Sequence, residues 1–544
     1  MDDKRIRYYK MRLQELKDAR KEFEPDWRDL SKFLAPASGM FYEQQNQEKN
    51  RRRYTYTKDN LNGMPQRYMR NLATALVATL CPPDSRWFGY RVPNETDEEQ
   101  SWLHKAADKV LESFNARSIS GYLESLFYEG AIFGLSTMSV EPSDKFHLDF
   151  GSFTIGQFYL DEDFEGNDNT LYHVFPMNAR QLRDWFGEDK LPAQLGEELE
   201  RGKQLKTYNI VQAIEPNPKY LPMFDNVFNK PYISVVWVEG ISDDECIIEE
   251  KGISDFPFIT FHWYRKVNSV YTMGLGHDII GDVKELQALE RDTKRARAKK
   301  ISPALRADPS LKNAGVRVGS DDITWTNNKD GITPLYNVNF DTAEGMNAIQ
   351  EKLQMLYQLT YNHLFSQIIN RDKTMTATEI KKISQEELIL LGGIVQNAMA
   401  ALAVLCERGF KILLDKGELP ENMPESLRGK TMNVSFHSLL AQSQSLSDLV
   451  LIERWLQAMS VLSQMNPNTI RKVDTFAIAD VYARRLDIDM SQVVPTEDVI
   501  AQINAEQQAQ AQAAQAQAQM ANAEAMSVAA KNYAEAGTIA EQLL

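Results

Sequence analysis

Two long helical patterns, separated by a turn-rich insert, constrain the fold of this chain more than any other feature. Apolar side chains recur at helical spacing over 277–300 and over 341–369. In the second pattern they form one stripe, made of Met346, Ile349, Leu353, Leu356, Leu364 and Ile368. A continuous helix there is roughly 43 Å long at ~1.5 Å per residue, so it needs neighbours along its whole length. Short strand patterns in the insert, such as ITPLYNV, complete the prediction of a helical hairpin with a small β tip.

The rest of the chain divides into helical and strand-rich stretches. Further helical spacing is found at 5–34 (interrupted near Pro25), 61–80, 101–135, 377–416 and 443–488. Between 146 and 265 the pattern changes to alternating β-rich runs divided by Gly, Pro and Asn. We therefore predict a mainly α fold with an α+β part.

The tail from 499 onward is rich in Ala and Gln, which favour helix but supply no large side chains for a two-stranded coiled coil. Two interpretations are open. The small residues suit a close-packed ring of helices, and they also suit a partly frayed, solvated helix.

Length and charge limit the classes of protein. A chain of 544 residues is expected to form two or more packed modules. The net charge of −15 argues against a protein whose whole surface binds nucleic acid by neutralising phosphates. Cys81, Cys246 and Cys406 form no CxxC pair, so we expect neither a disulfide framework nor a zinc site. The charged N-terminus lacks the pattern of a secretory signal, so we expect no export, and a reducing cytosol fits assembly.

One stretch raises the question of a membrane helix. Residues 388–406 carry no charge and are nearly long enough to span a bilayer. Gln396 and Asn397 lie at the centre of the stretch, beside Gly392 and Gly393. We therefore predict a helix buried among protein neighbours and no stable membrane insertion.

Motifs of enzyme sites are absent from the sequence. It contains no GxxxxGK[ST] for a nucleotide-driven motor, no HExxH and no GxSxG. Its seven histidines lack metal-ligand spacing. We expect no catalytic residue, no metal and no cofactor.

Two local patterns allow both a binding and a structural interpretation. Asp161, Asp163, Glu165 and Gly166 resemble the start of a calcium loop, but Tyr172 stands where a bidentate Glu is required, so we predict an acidic β-turn. Basic residues at 51–53 lie beside two tyrosines and could contact phosphates; a solvated loop is the simpler interpretation.

The order of several motifs resembles the portal, or head-to-tail connector, proteins of short-tailed (podovirus) bacteriophages. The stretch GLGHDIIGDVKELQALERDTKRARAKK, a β-rich insert, and DTAEGMNAIQEKLQMLYQLTYNHLFSQIINRDKTMTATEI follow the family order of helix, clip, helix and channel loop. Thr376, Ala377, Glu379 and Ile380 match the start of the family's next long helix. FYLDEDFEGNDNTLYHVF resembles its wing hairpin, and NLATALVATLCPPDSRWFGYRV resembles a stretch near its N-terminus. The resemblance covers most of residues 5–490.

The resemblance implies a ring of about twelve subunits at one capsid vertex, with a channel for double-stranded DNA. Its implied partners are the terminase large subunit, a tail adaptor, and the major capsid and scaffold proteins. Its implied place is the head-tail junction of the virion, with assembly in the host cytoplasm. The implied parts are an N-terminal wing (1–272), a first stem helix (273–300), a clip (301–340), a second stem helix (341–369), a channel loop (370–378), a long wing helix with crown (379–498) and a C-terminal helix that can form a barrel (499–544).

Three groups of charged residues are candidates for lining such a channel or contacting the DNA in it. Asp278, Asp282 and Glu285 lie one helical turn apart and form either an acidic lumen stripe or a solvated outer face. The basic run Lys294, Arg295, Arg297, Lys299 and Lys300 either complements the helix dipole or also contacts DNA or a docking partner. Arg371 and Lys373 fall in the channel loop, where they either touch phosphates or cap helix ends and pair with Glu379.

Another class of virion protein remains an alternative. A scaffold, an ejected internal protein or a membrane-active protein using 388–406 would share the composition. Assembly state separates these alternatives, because only the portal interpretation requires a ring with an axial hole.

Overall fold

The structure is a computed structural model, and its described residues form two compact units. The first unit is drawn from 1–90, 106–421 and 434–444, and the second from 91–105, 422–433 and 445–544. Within them, the described residues are 2–36, 38–39, 59–83, 85–93, 95–202, 204–223, 229–241, 246–265, 269–309, 332–334, 342–369, 377–427, 429–430, 432–436, 452–462, 478 and, with short gaps, 505–531; 366–369 and 377–391 are described by their backbone alone.

Helices and strands alternate along the chain, so the fold is mixed rather than all-helical. Among the described residues, the helices with defined bounds are α1 (Asp2–Arg20), α2 (Glu24–Phe33), α3 (Met64–Leu80), α4 (Asp97–Ala116), α5 (Ile119–Phe133), α6 (Ala179–Phe186), α7 (Ala193–Glu200), α8 (Leu275–Ile301), α9 (Thr342–Leu359), α10 (Asn362–Ile369) and α11 (Ala377–Asp415). The strands are β1 (Phe88–Arg91), β2 (Leu135–Ser143), β3 (His147–Phe153), β4 (Phe158–Glu162), β5 (Asp168–Asn178), β6 (Thr207–Pro216), β7 (Tyr232–Val238), β8 (Ile247–Ile253), β9 (Phe258–His262), β10 (Leu305–Ala307), β11 (Ile332–Pro334) and β12 (Asn433–Phe436).

A five-stranded antiparallel sheet with the order β4-β5-β6-β7-β8 accounts for most of the strand-rich stretch predicted at 146–265. Helix α1 covers it. Ile6, Tyr9, Leu13 and Leu16 share one face of α1 and are buried in a single core cluster with side chains of the sheet, among them Trp237. The chain turns after α1 and resumes at α2 with Pro25 in the first turn, where a missing N–H breaks no helical hydrogen bond.

A three-stranded antiparallel sheet, in the order β3-β2-β9, lies between α5 and α11. On one face, Phe261 of β9 meets Phe127 of α5 with the ring centroids 5.3 Å apart. Across the other, Arg408 of α11 donates from Nε to the Val140 carbonyl at 2.7 Å. Because successive side chains on a strand point to opposite faces, Phe258, Thr260 and His262 share the face toward α11.

The helix predicted as continuous over 341–369 is broken in the structure. The pattern at 341–369 forms α9 and α10, because Tyr361 adopts a left-handed conformation with φ 56°. The buried Asn362 amide stabilises this break by donating to the Tyr68 carbonyl at 3.0 Å and to the Thr360 carbonyl at 3.2 Å. The stretch 101–135 likewise forms α4 and α5, with Ser118 at φ 55° between them. The prediction of one unbroken helix over 341–369 was wrong, since apolar spacing does not register a single left-handed residue; the stretch 101–135 is mostly helical, as predicted.

The apolar stretch 388–406 lies within α11, whose described inner face is packed into the protein. Its buried side chains are Ile394, Val395, Ala398, Ala401, Leu402, Leu405 and Cys406. None of the described helices combines the length and the apolar character that a bilayer crossing requires. The burial agrees with the predicted helix among protein neighbours.

In the second unit, Glu99 accepts hydrogen bonds from Lys430 at 2.7 Å and from Ser426. These contacts, with the Lys430 hydrogen bond first, lower the pKa of Glu99 to about 2. The described residues of the Ala/Gln-rich tail, within 505–531, are helical and exposed.

Candidate nucleic-acid interface

The candidate interface is built on α8, which is fixed at its N-terminus by direct backbone contact with the end of α5. A Cβ atom at Gly276 would lie 2.3 Å from the Ile132 carbonyl oxygen, and one at Gly274 would lie 2.6 Å from the Gly134 nitrogen. Only glycine allows such an approach. The Gly274 N–H also donates to Nδ1 of His277 at 3.0 Å, which satisfies a group that the helix itself leaves unpaired.

The predicted acidic stripe lies at the contact between α8 and α9. Asp278 and Glu285 are exposed and Asp282 is half-buried. Lys352 of α9 bridges two of them, with Nζ 2.6 Å from Glu285 Oε2 and 3.0 Å from Asp282 Oδ1. These hydrogen bonds, the one to Glu285 first, raise the pKa of Lys352. Lys352 thus partly neutralises the stripe within the chain. Asp278 is exposed and is not one of the two carboxylates that Lys352 bridges.

Burial decreases along the α8–α9 pair away from the α5 contact. Near that contact Val283, Leu286 and Leu356 are buried. Farther out, Met346 is 43% exposed and Ile301 is 84% exposed. The predicted apolar stripe of the second helix is therefore covered at Leu356 and Leu364, half-covered at Ile349 and Leu353, and open at Met346, while the side chain of Ile368 lies outside the described ones.

The basic run occupies the outer end of α8. All five side chains, Lys294, Arg295, Arg297, Lys299 and Lys300, are exposed. Lys294 lies 3.2 Å from Glu290 and donates to the Leu61 carbonyl at 3.3 Å. Lys299 and Lys300 lie in the last turn, where cations complement the carbonyl end of the helix dipole. Antiparallel β10 and β11 follow, with Leu305 opposite Pro334.

Two other groups of predicted basic residues lie outside the described residues. Arg371 and Lys373 belong to 370–376, between the end of α10 and the start of α11. Arg51, Arg52 and Arg53 belong to 40–58. Their roles stay predictions.

The acidic segment after β4 forms a tight turn, as predicted. Asp163 accepts hydrogen bonds from the backbone N–H groups of Asn167 at 2.8 Å and Glu165 at 2.9 Å, and these contacts lower its pKa. Gly166 has a φ of +83°, and Asp161 pairs with Arg12. Tyr172, at the position a calcium loop gives to Glu, donates its hydroxyl to Glu215 at 2.8 Å.

The sequence analysis missed two arrangements that the fold creates. One is the Lys352 bridge, whose partners are about 70 residues away in sequence. The other is a buried group in which Asp168 Oδ2 lies 2.9 Å from His262 Nε2 and accepts the Thr260 hydroxyl. Neither has a local sequence signal, because each joins residues from distant elements. In the described part of the chain, no group of three or more His, Cys, Asp or Glu residues is placed to hold a metal ion.

Comparison with known proteins gives matches along nearly the whole chain. A family described as bacteriophage head to tail connecting protein matches residues 7–494. The portal protein of Salmonella phage epsilon15 is 28% identical over 511 residues, covering 92% of this chain and 91% of that protein. The probable portal protein of Bordetella phage BPP-1 is 27% identical over 510 residues, with the same coverage of both chains. A chain from the virion of a native gene transfer agent particle aligns over 79% of this chain and 95% of its own length, but its TM-score of 0.35 and identity of 10% support no argument.

Proposed function

Because this chain belongs to the family of bacteriophage head to tail connecting proteins, we propose that it is the portal subunit through which double-stranded DNA enters and leaves the phage head. It acts at the head-tail junction of the virion. The observation that carries the proposal is the family match over residues 7–494, which leaves out only the first six residues and the C-terminal tail of this chain. The role is structural, as in the portal proteins to which the chain is similar.

The proposed assembly is a ring of about twelve copies around one axis. In it, residues 1–272 and 379–498 form the wing and crown, α8 and α9 form the stem, and 301–340 form the clip. The segment 370–378 is the channel loop, and 499–544 is a helix that packs with its copies into a barrel. The exposed, Ala-rich helix described within 505–531 suits such close packing.

The α8–α9 pair supplies a reason for the single chain to assemble. Met346, Met355 and Leu359 of α9 are 43%, 43% and 39% exposed, and Ile301 of α8 is 84% exposed. Apolar side chains grouped along a helix pair gain free energy when another surface covers them. The occupant we propose is the same pair of helices in the next copy, which would extend the core around the ring.

The charge of the ring suits passage of DNA rather than retention. Twelve copies with a net charge of −15 each carry about −180, which repels phosphates wherever carboxylates face the channel. Strong binding by many cations would hold the backbone through counterion release. In the proposed channel Asp278 is an acidic lumen residue, Arg371 and Lys373 touch phosphates transiently, and the basic end of α8 lies near the clip.

The proposed partners follow from the two ends of such a ring. The clip would dock the terminase large subunit during packaging and the tail adaptor afterwards, whereas the wing would contact the major capsid and scaffold proteins. The exposed basic run of α8, close to the clip, offers a surface for acidic partners as well as for DNA.

Negative-stain electron microscopy of the purified protein tests the proposal. We expect end-on views with rotational symmetry of about twelve and an open axial channel. A chain that stays monomeric at every concentration tested would contradict it.

A further inference from the structure

A cavity of about 260 Å³ lies beside β9, within the first unit. Its apolar part is formed by Phe256, Phe258 and the α11 residues Ala400, Ala401 and Val404, and its polar part by Asn167, Asp168, Thr260, His262, Arg265 and Asn397. Asp168 and His262 side chains are each only 7% exposed. The space suits one long side chain or a small molecule, and it is too small for a nucleic-acid strand or a protein element.

The buried polar group in this wall has unused hydrogen-bonding capacity. Asp168 Oδ2 accepts from Thr260 and contacts His262 Nε2, yet Asp168 Oδ1 and His262 Nδ1 have no partner among the described residues, and both atoms are buried. A buried carboxylate oxygen without a donor is costly, so native proteins seldom leave one unfilled. When His262 donates through Nε2, its Nδ1 is an acceptor too. The wall therefore holds two buried acceptor atoms that no described donor reaches.

From this arrangement we propose that the cavity binds a guanidinium or ammonium group, with Asp168 as its carboxylate partner. Such a group supplies several N–H donors, and its methylene stem can lie against Phe256, Phe258 and Val404. The face of an aromatic ring also attracts a cation. The group comes either from an arginine or lysine of a neighbouring copy or from a free cation such as a polyamine.

Arg265 sets the charge at the edge of the cavity. It is exposed, and its Nη2 donates to the Gly166 carbonyl rather than to Asp168. Its positive charge opposes the entry of a second cation, so Arg265→Gln should increase the affinity several-fold.

Saturation-transfer NMR with N-acetyl-argininamide, on the unassembled full-length chain, measures this binding directly. We expect Asp168→Asn to weaken it about tenfold or more, because one charge-assisted hydrogen bond is lost. Thr260→Val should retain binding, since it removes a hydrogen bond to Asp168 but keeps the carboxylate. The neutral analogue N-acetyl-citrullinamide should not bind.

Two controls separate the cavity from the general acidity of the chain and from misfolding. Asp184→Asn removes an exposed carboxylate on α6 and should leave the affinity unchanged. If Asp168→Asn does not fold, the Arg265→Gln variant decides instead. Equal binding by the wild-type and Asp168→Asn chains, or no gain in Arg265→Gln, would overturn the proposal.

The same measurement on assembled rings identifies the source of the group. Binding by the single chain but not by the ring means that a neighbouring copy fills the cavity; binding by both means a free cation. No binding by either form overturns the proposal. Because the single-chain measurement needs no ring, failure of the proposed portal function would be seen separately, by microscopy.

Discussion

At the scale of single residues, the buried carboxyl group of Glu129 in α5 makes the stability of the fold depend on pH. It is buried and accepts a hydrogen bond from the Ile155 N–H at 3.0 Å. Burial raises its pKa from 4.5 to about 7. A carboxyl whose folded pKa is raised stabilises the fold while it is neutral, so its contribution is complete below about pH 4.5 and is lost as the pH rises through about 7.

Glu129→Gln removes that titration. We expect the difference in the free energy of unfolding, variant minus wild type, to rise by up to about 3 kcal/mol as the pH increases from about 5 to about 8. The wild type loses stability over this range because its buried carboxyl group ionises, and the variant does not. Urea denaturation of the unassembled chain at several pH values measures the difference. Glu124→Gln, which removes a half-buried carboxylate from the same helix, is the control. A difference between Glu129→Gln and wild type that does not change with pH would contradict the prediction.

At the scale of elements, a glycine at the start of α8 allows the close contact of this helix with the end of α5. Gly276→Ala places a methyl group against the Ile132 carbonyl, and we expect it to cost about 1–3 kcal/mol of stability or more. Gly281 lies on the same helix, and a Cβ atom there would meet no other atom within 4 Å, so Gly281→Ala should instead stabilise α8 by about 0.5–1 kcal/mol. Differential scanning fluorimetry of the two variants compares them. Equal effects of the two substitutions would show that α8 is not held by this contact.

The ion pairs of Lys352 with Asp282 and Glu285 are the second contact that positions α8 and α9. Lys352→Met keeps the length of the side chain but leaves Asp282 half-buried without its cation. We expect a loss of about 1 kcal/mol, the range of a partly exposed ion pair, and a smaller difference from wild type at high salt. Lys284→Met, which removes the exposed pair with Asp29 from α8, is the matched control and should cost less. A larger loss in the control would contradict the bridging role. Thermal unfolding at low and high salt is the measurement.

At the scale of the whole molecule, the proposed function depends on the positions of the basic side chains in a chain that is acidic overall. Replacing Lys294, Arg295, Arg297, Lys299 and Lys300 by Gln should lower DNA packaging by about tenfold or more, because contacts with phosphate or with a partner are lost at one place. The control replaces Arg180, Arg183, Lys190, Arg201 and Lys206, which changes the net charge equally on the α6–α7 region. Packaging in vitro is measured for rings verified by microscopy. Normal packaging by intact rings of the first variant would remove the basic run from the mechanism.

The sequence by itself determined the elements whose signal is local. The apolar face of α1, the break at Pro25, the strand-rich stretch and the outer bounds of α8 follow from periodicity, because each depends on neighbours within a few residues. The acidic turn at Asp163 was predicted for the same reason. The family was indicated in another way, by the resemblance of the order of motifs to that of known portal proteins.

Tertiary structure alone decided what depends on distant residues. The left-handed break at Tyr361 is stabilised through Asn362 by a carbonyl of α3, and the acidic stripe is partly neutralised by Lys352 from another helix. The cavity beside β9 joins Asp168 to His262, 94 residues away. The periodicity of a sequence shows which face of a helix or strand is apolar. Which polar groups from distant elements come into contact is set by packing, because each buried donor and acceptor must find a partner.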